Sequence, residues 1–483
     1  MHFNTRELYY QLSEFSERIL MSAVQELKKL LGDRLLTKNE DKIPYIRDAS
    51  YFTGKMPDAV AIPKTTAEVS EIMKICSSYK LQVTIRSGGS SLTGSSVPMD
   101  GGIIISMSAM NRIIAIKPED SYVIAEPGVR LDDLNLELEK IGFFYPPDPA
   151  SSMAATVGGS ISTNAGGLRA SYYGTTKEWV LGVEVVLPTG EIVEFGGKTL
   201  KRTKGYDLTA LMVGNEGTLG IITMAILKIW PIPERVGRIM AYFAEITDVG
   251  RSVSELKKKG IIPYIAEFMD SLSMQSVTRA NGIIFPDNAR FLLMIDIAST
   301  KESITRLLEN AKGAISNFNP VYIQVTTDKE EMAKMYQARK GLYSSSLSLR
   351  SDKHQYVVIA DLVVPTSELP AAFTEIQDMI DKSSLKVMLF GHIGDGNIHG
   401  NIFADTRSAE EMEKVDSLQM NLAKIVLSHG GSVSAEHGIG VEKKALLIEE
   451  LRERNSEFNL KLMRSIKENF DPQGLLNRGK IFD

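Results

Sequence analysis

With one cysteine in 483 residues, Cys76, the chain cannot form an intrachain disulfide and suits a reducing compartment. It also has no Cys-x-x-Cys run, so any iron–sulfur centre it works with must sit on a partner. Basic excess is missing: the formal net charge is −5, whereas a general nucleic-acid binder is normally basic. Long apolar runs are missing too. The most apolar stretch, Gly220 to Pro231, is too short to span a bilayer and carries Lys228. The opening Met-His-Phe-Asn-Thr-Arg-Glu has no apolar signal core, so the expectation is a cytoplasmic protein, with peripheral contact at the inner face of a membrane left open. No Gly-x-Gly-x-x-Gly is present, which removes the Rossmann fingerprint. Hydrophobic content of 43% and charged content of 24% are ordinary, leaving a chain with enough residues for two or three domains and substantial cores.

Histidine is scarce, with six in the chain, yet four fall between 392 and 437. Two of them frame Gly394-Asp-Gly-Asn397, between the strand-like runs Leu385–Phe390 and Ile398–Phe403. Asp395-Gly396 reads as a two-residue turn, because Gly supplies the positive φ that such a turn needs. That register makes His392 and His399 directly opposed and sets Asn401 opposite Phe390 on the same face. From these residues alone, a shared metal ion and a polar hairpin with two surface histidines are equally good readings.

In chain order, Glu14–Leu31 keeps a helical apolar period and Gly32 is its stop. Asp58–Pro63 reads as a strand, Thr65-Thr-Ala-Glu68 as a capping box opening a helix, and Leu81–Arg86 as the next strand. The loop Arg86-Ser-Gly-Gly-Ser-Ser-Leu-Thr-Gly94 follows. Its backbone N–H groups and small hydroxyls suit a pyrophosphate, although this segment taken alone reads first as an ordinary flexible loop. It leads to another strand, Gly102–Ser106. Further glycine clusters occupy Val157–Gly167 and Gly214–Thr223, on either side of a hairpin turning at Pro188-Thr-Gly190. Three such clusters point to a long ligand bound largely by backbone. Pro231-Ile-Pro233 marks a change of composition. Beyond it strands and helices alternate, among them the strand Phe291–Ile297, a helix near Ser303–Lys312, a helix around Met335–Tyr343 and a helix Ala409–Ser428. His429 is read as a helix-end residue, and Ser432–Gly440 as a glycine-bounded loop whose Glu436 and His437 can face the hairpin.

Arg86–Gly94, Pro146–Ser152, Gly158–Gly167 and Glu216–Thr223 resemble the flavin-binding domain of the vanillyl-alcohol oxidase (PCMH) type of FAD enzymes. With the histidine hairpin and the C-terminal Phe470–Ile481, the chain resembles the group of D-lactate dehydrogenase, glycolate oxidase catalytic subunit and D-2-hydroxyglutarate dehydrogenase, from roughly Arg47 to Phe482. The resemblance implies an α+β, two-domain flavoprotein. Its parts would be an N-terminal helical segment (1–45), an FAD-binding domain (46–233), an α+β cap with an antiparallel sheet (234–455), and a C-terminal segment returning to the FAD domain (456–483). It assigns Arg86, Ser87, Gly88, Gly89, Ser90, Ser91 and Gly94 to the pyrophosphate of FAD. Pro147, Asp148, Gly158, Gly159, Ser162, Asn164, Gly166 and Glu216 would lie along the cofactor, with Ile222 near the adenine. Ser90 stands where some relatives of the fold link flavin through a histidine, so the FAD is expected to be non-covalent. His392, His399 and Glu436 would hold a divalent metal (zinc, manganese or iron), a choice these ligands do not make. His437 would be the base and touch substrate, Arg339 would clamp the substrate carboxylate, and Asn401 would hydrogen-bond the substrate.

The implied activity is oxidation of a small D-2-hydroxy acid, D-lactate or glycolate, to the 2-oxo acid with hydride transfer to flavin. Where D-2-hydroxyglutarate dehydrogenases carry a threonine and a lysine for a second carboxylate, the aligned positions here are Tyr343 and Ile359, which makes that enzyme the second reading. A redox-neutral flavin transferase of the alkyl-glycerone-phosphate synthase type would not need the His392, His399, Glu436 set. A non-catalytic flavin subunit would lack the hairpin histidines, and a non-haem iron oxygenase would leave the glycine clusters unexplained. The expected partners are the hydroxy acid and an electron-acceptor protein or iron–sulfur subunit, with no nucleic acid and no transmembrane segment. A homodimer is the oligomeric expectation.

Overall fold

The computed structural model describes residues 5–482, with side chains from 17 onward, so the expectation for Met1–Asn4 lies outside the described residues. The first helix runs Thr5–Leu31 and stops where Gly32 takes φ +58°, and its Leu27 and Leu31 pack on Val69, Ile72 and Cys76 of the helix Thr66–Ser78. Thr65 caps that second helix by accepting the Glu68 N–H at 3.2 Å. The reciprocal half of the expected capping box is absent. Glu68 instead accepts two 2.6 Å hydrogen bonds from Arg34 and one from the Lys64 N–H, because a charged bidentate partner outcompetes a backbone amide.

A short β1 (Leu35–Leu36), not expected from the sequence, precedes β2 (Ala59–Ala61), β3 (Val83–Arg86) and β4 (Ile103–Ser106), which lie where the sequence places them. They form one sheet in the order β1-β2-β4-β3, parallel from β2 onward. Next come β5 (Ile113–Lys117), β6 (Tyr122–Ala125), β7 (Phe143–Phe144), β8 (Val180–Val186), β9 (Ile192–Gly196), β10 (Ile221–Lys228) and β11 (Trp230–Pro231). Five of these build an antiparallel sheet ordered β5-β6-β10-β8-β9, while β7 and β11 pair with each other. The glycine clusters sit at the ends of these elements, where loops from both sheets meet.

After Pro233 the chain builds a third sheet from β12 (Arg235–Phe243), β13 (Ile265–Asp270), β14 (Phe291–Ser299), β15 (Tyr322–Thr326), β16 (Gln355–Val363), β17 (Lys386–Gly391) and β18 (Asn397–Asp405). The order is β15-β12-β14-β13-β17-β18-β16, antiparallel throughout. One face is a continuous apolar core under the helices Ile246–Lys258, Ile304–Ser316, Leu369–Lys382 and Ala409–Ser428, and it includes Phe268, Val358, Ala360, Ile398 and Ile402. The alternate residues, among them Ile359, Phe390 and Phe403, lie on the opposite face toward the first two sheets. Period-2 alternation therefore puts Glu267, Asp361, His399 and Asn401 on that same second face. Among the described residues no helix is long and apolar enough to cross a membrane.

The hairpin of β17 and β18 corrects the expected register. Phe390, rather than His392, is the cross-strand partner of His399, and Met388 rather than Phe390 faces Asn401. Gly396 does take a positive φ, +89°, but the loop has five residues, His392–Gly396, because Ile393 turns inward and is fully buried in the helix-side core. The His392 carbonyl closes it by accepting the N–H groups of Asp395 and Asn397. The shift is an even number of residues, so His399 and Asn401 keep the expected face. The imidazoles remain neighbours, with ring centroids 5.2 Å apart.

The C-terminal segment returns to the first sheet. Asn477 accepts the Ile85 N–H at 2.9 Å, and the Lys480 ammonium donates to the carbonyls of Gly94 and Val97.

Candidate active site

A cavity of ≈ 890 Å³ lies between the glycine loops and the second face of the seven-stranded sheet. Its size is at the upper end of the range for cofactor and small-molecule sites. Ser87, Gly88, Gly89, Ser90, Ser91, Asp148, Gly158, Gly159, Ser162, Glu216 and Ile222 of the expected cofactor set line it. The backbone crowding is that of a loop shaped around a ligand: a Cβ on Gly88 would stand 2.2 Å from the Ala154 carbonyl oxygen. These features fit a long flavin nucleotide held by main chain.

Five residues of the expected set stand outside the wall. The Arg86 guanidinium turns away to the Arg47 carbonyl, Gly94 packs on Phe52 and Val441, and Asn164 accepts hydrogen bonds from Thr175 and the Lys177 N–H. Gly166 backs onto Glu436, and Pro147 precedes the lining residue Asp148. Two residues that do line the cavity have their carboxylates engaged elsewhere. Asp148 is bound by Tyr336, Lys340 and Arg169, while Glu216 accepts from Ser95 and from the N–H groups of Ile439 and Gly440.

On the cap side, the Nε2 atoms of three histidines gather round one carboxylate oxygen. Glu436 Oε1 lies 3.1 Å from His392, 3.3 Å from His399 and 3.8 Å from His437. Each ring has a second carboxylate behind its Nδ1: Glu267 at 2.7 Å for His392, and Asp361 at 3.4 Å for His399 and 3.8 Å for His437. The strand register explains the last pairings, since Asp361 of β16 is the cross-strand partner of His399 of β18.

The loop carrying Glu436 and His437 is held by two buried carboxylates. Asp361 Oδ2 accepts the N–H groups of Ala435, Glu436 and His437 at 2.9–3.0 Å, and Glu216 takes those of Ile439 and Gly440. Gly440, at φ +56°, passes so close to Thr93 that a Cβ would lie 2.1 Å from its carbonyl oxygen. The loop is thereby fastened to both halves of the molecule.

Charge in this cluster is strongly organised. Burial alone would lower His392, but Glu267 and Glu436 on its two nitrogens hold it well above the usual imidazole range. Burial alone would raise Glu436, and His392 and His399 hold it well below the carboxylate range. A cationic centre flanked by two carboxylates is the environment in which a dication is equally satisfied, so the donor set His392, His399 and Glu436 fits a metal with positions left for substrate. A second grouping, Asp361 with His399 and His437, is geometrically close but chemically poorer. Asp361 already accepts from three amides, Asn397 and Lys443, and so has little lone-pair capacity left for an ion. His437 differs from His392: burial pushes it down to about 4, with Asp361 opposing that shift.

Arg339 is buried at the cavity's edge. It sits on the helix Lys329–Lys340, lies over the Phe390 ring at 4.9 Å and contacts Glu267, while its Nε and Nη2 have no aligned hydrogen-bond partner. Asn401 Oδ1 is likewise buried without a partner. His429 stands apart, between Glu368 and Glu375 at the end of its helix.

Sequence reasoning missed Glu267, Asp361 and Lys443. Asp361 carries a usable signal, a lone carboxylate in the apolar run Tyr356–Val364, where an unpaired charge is not expected. Glu267 in Ile265-Ala-Glu-Phe-Met carries a similar but weaker one.

Residues 232–481 match the family model described as FAD linked oxidases, C-terminal domain, and residues 57–196 match the FAD binding domain. The chain is 35% identical over 444 residues to a glycolate oxidase subunit GlcD of Bacillus subtilis, covering 92% of this chain and 93% of that protein. It is 31% identical to a D-lactate dehydrogenase of Anaerostipes hadrus, covering 97% and 99%. Among solved structures, p-cresol methylhydroxylase with substrate bound superposes with a TM-score of 0.79 over 96% of this chain and 97% of the other. At 19% identity that likeness shows the shared α+β fold with a PCMH-type flavin-binding domain.

Proposed function

The chain belongs to the FAD-linked oxidase family, and on that premise we propose that it oxidises a small D-2-hydroxy acid, D-lactate or glycolate, to the 2-oxo acid, using non-covalent FAD and a divalent metal at His392, His399 and Glu436. The broader statement, an FAD-dependent 2-hydroxy-acid dehydrogenase, accords with relatives named for glycolate and D-lactate. The observation that carries the finer reading is the convergence of the three Nε2 atoms and the Glu436 carboxylate on one wall of a cavity whose other wall is the glycine loops.

When bound, FAD supplies the two-electron acceptor for the substrate α-hydrogen, and the metal supplies a Lewis acid that lowers the hydroxyl pKa. The chain's own residues do the rest. Arg339, whose buried Nε has no protein partner, would bind the substrate carboxylate, and the Oδ1 of Asn401, also buried without a partner, would accept from the substrate hydroxyl. His437, neutral because of its burial, takes the hydroxyl proton on Nε2, and Asp361 near Nδ1 stabilises the imidazolium that results. Ile359, Tyr343 and Phe390 also line the cavity, and the other cations on its wall, Arg169 and Lys340, are engaged by Asp148, which favours a monocarboxylate. The electrons then pass to a separate acceptor. One relative is named as a subunit, which supports an acceptor protein or iron–sulfur partner.

Anaerobic mixing of the FAD- and metal-loaded protein with a panel of hydroxy acids, followed at the flavin absorbance band, tests the proposal. D-lactate or glycolate should bleach the flavin, and L-lactate should be far slower. Faster bleaching by D-2-hydroxyglutarate than by D-lactate would replace the substrate assignment, and no bleaching by any hydroxy acid would remove the activity.

A further inference from the structure

Glu267 performs no proton transfer in the reaction above, yet it is 1% exposed and reaches two groups that the reaction needs. One carboxylate oxygen lies 2.7 Å from His392 Nδ1, and the other is in ion-pair contact with Arg339, itself 2% exposed. The backbone explains the position. The β13–β17 ladder has its last pairs at Met269–Phe390 and Phe268–Gly391, so Glu267 and His392 come immediately after pairing ends. There a side-chain bond takes over from main-chain bonds. The remaining contacts close a circuit: Arg339 lies over Phe390, the Phe390 ring is 5.2 Å from the His399 ring, and His399 and His392 both meet Glu436.

We infer that Glu267 is a positioning residue that fixes the span between the carboxylate clamp, Arg339, and the proposed metal ligand, His392. The inference rests on the roles proposed above for those two residues. A 2-hydroxy acid presents its carboxylate and its hydroxyl on adjacent carbons, so the donors that hold them must keep one separation. A single rigid carboxylate bonded to both sets it more tightly than two independently mobile side chains can. Glu267 also fixes the imidazole: accepting from Nδ1 leaves the Nε2 lone pair for an ion. With its other oxygen it holds the Arg339 guanidinium through Nη2, leaving Nε without a protein partner.

Glu267→Gln and Glu267→Ala separate these two tasks. The amide in Glu267→Gln can still accept from His392, but it turns an N–H donor toward the guanidinium. Zinc affinity, measured on the FAD-loaded protein by competition with a chromophoric chelator, should then stay within about threefold, while KM for D-lactate rises about tenfold or more and kcat falls less. Glu267→Ala releases both partners, so zinc affinity should drop by roughly 10- to 100-fold as well. A group that only stabilised the fold would lower the melting temperature and leave KM and zinc affinity alone. An unchanged KM in Glu267→Gln, or wild-type zinc affinity in Glu267→Ala, overturns the inference. If the alanine variant does not fold, the KM of the isosteric amide decides. A wild-type protein inert toward every hydroxy acid would instead sink the functional reading, and the zinc comparison would still judge Glu267.

Discussion

His437 illustrates how one residue's environment sets its chemistry. It and His399 are stacked with ring centroids 5.0 Å apart, and Lys443 lies beyond Asp361, so adding a proton there is disfavoured by burial and by neighbouring cationic groups. A base works only while unprotonated, so lowering its pKa to about 4 extends activity toward acid. The rate constant for flavin reduction by D-lactate, measured between pH 4 and 9, should keep its value down to about pH 5 and fall below that. An acid limb centred near the ordinary imidazole value of about 6.5 would count against His437 as the base. His437→Asn should slow flavin reduction by roughly 10²- to 10⁴-fold without releasing FAD.

At the scale of elements, the helix Lys329–Lys340 matters most, because it carries Arg339 across from the glycine loops. It is held from two sides. Arg238 of β12, paired with Asp296 in a buried ion pair at 2.6 Å, donates to the Met332 carbonyl, and Asp148 from the flavin side binds Tyr336 and Lys340. Burial alone would raise Asp148, but Arg169 and Lys340 hold it below the carboxylate range. The sign follows from that shift. The stability Asp148 contributes is present above the pKa of an unfolded aspartate and is lost as pH falls through its lower folded value. Asp148→Ala removes the buried carboxylate shared by the partly buried Arg169 and Lys340, of which Lys340 keeps Asp132 at 3.7 Å, a cost of about 3 kcal/mol. Differential scanning calorimetry should show a melting temperature lower by roughly 3 °C. Because the same helix carries Arg339, KM for the hydroxy acid should rise more than kcat falls. A variant with wild-type melting and KM would show that the helix is held by other contacts.

At the scale of the molecule, the glycine loops that would hold FAD and the histidines that would hold a metal come from different sheets, joined through the loop that Asp361 and Glu216 share. Separable losses follow. His392→Ala should retain stoichiometric FAD, released intact into the supernatant by trichloroacetic acid, while metal content and D-lactate turnover fall to background. Yellow flavin left in the acid pellet would refute the non-covalent assignment that rests on Ser90. Retained turnover would refute the role of His392.

Patterns written in neighbouring residues were determined by the sequence itself. The helix Ala409–Ser428, the strands around the glycine clusters, the parity that faces His399 and Asn401 inward, and the crowding of rare histidines between 392 and 437 all depend on local period and composition. The tertiary structure decided what distance along the chain conceals. The five-residue loop depends on a core that buries Ile393, so a local turn rule gave the wrong cross-strand partners. Glu267 reaches His392 across 125 residues and Asp361 reaches His437 across 76. Burying a carboxylate is favourable only when its partners are already in place, and those partners are brought together by the fold.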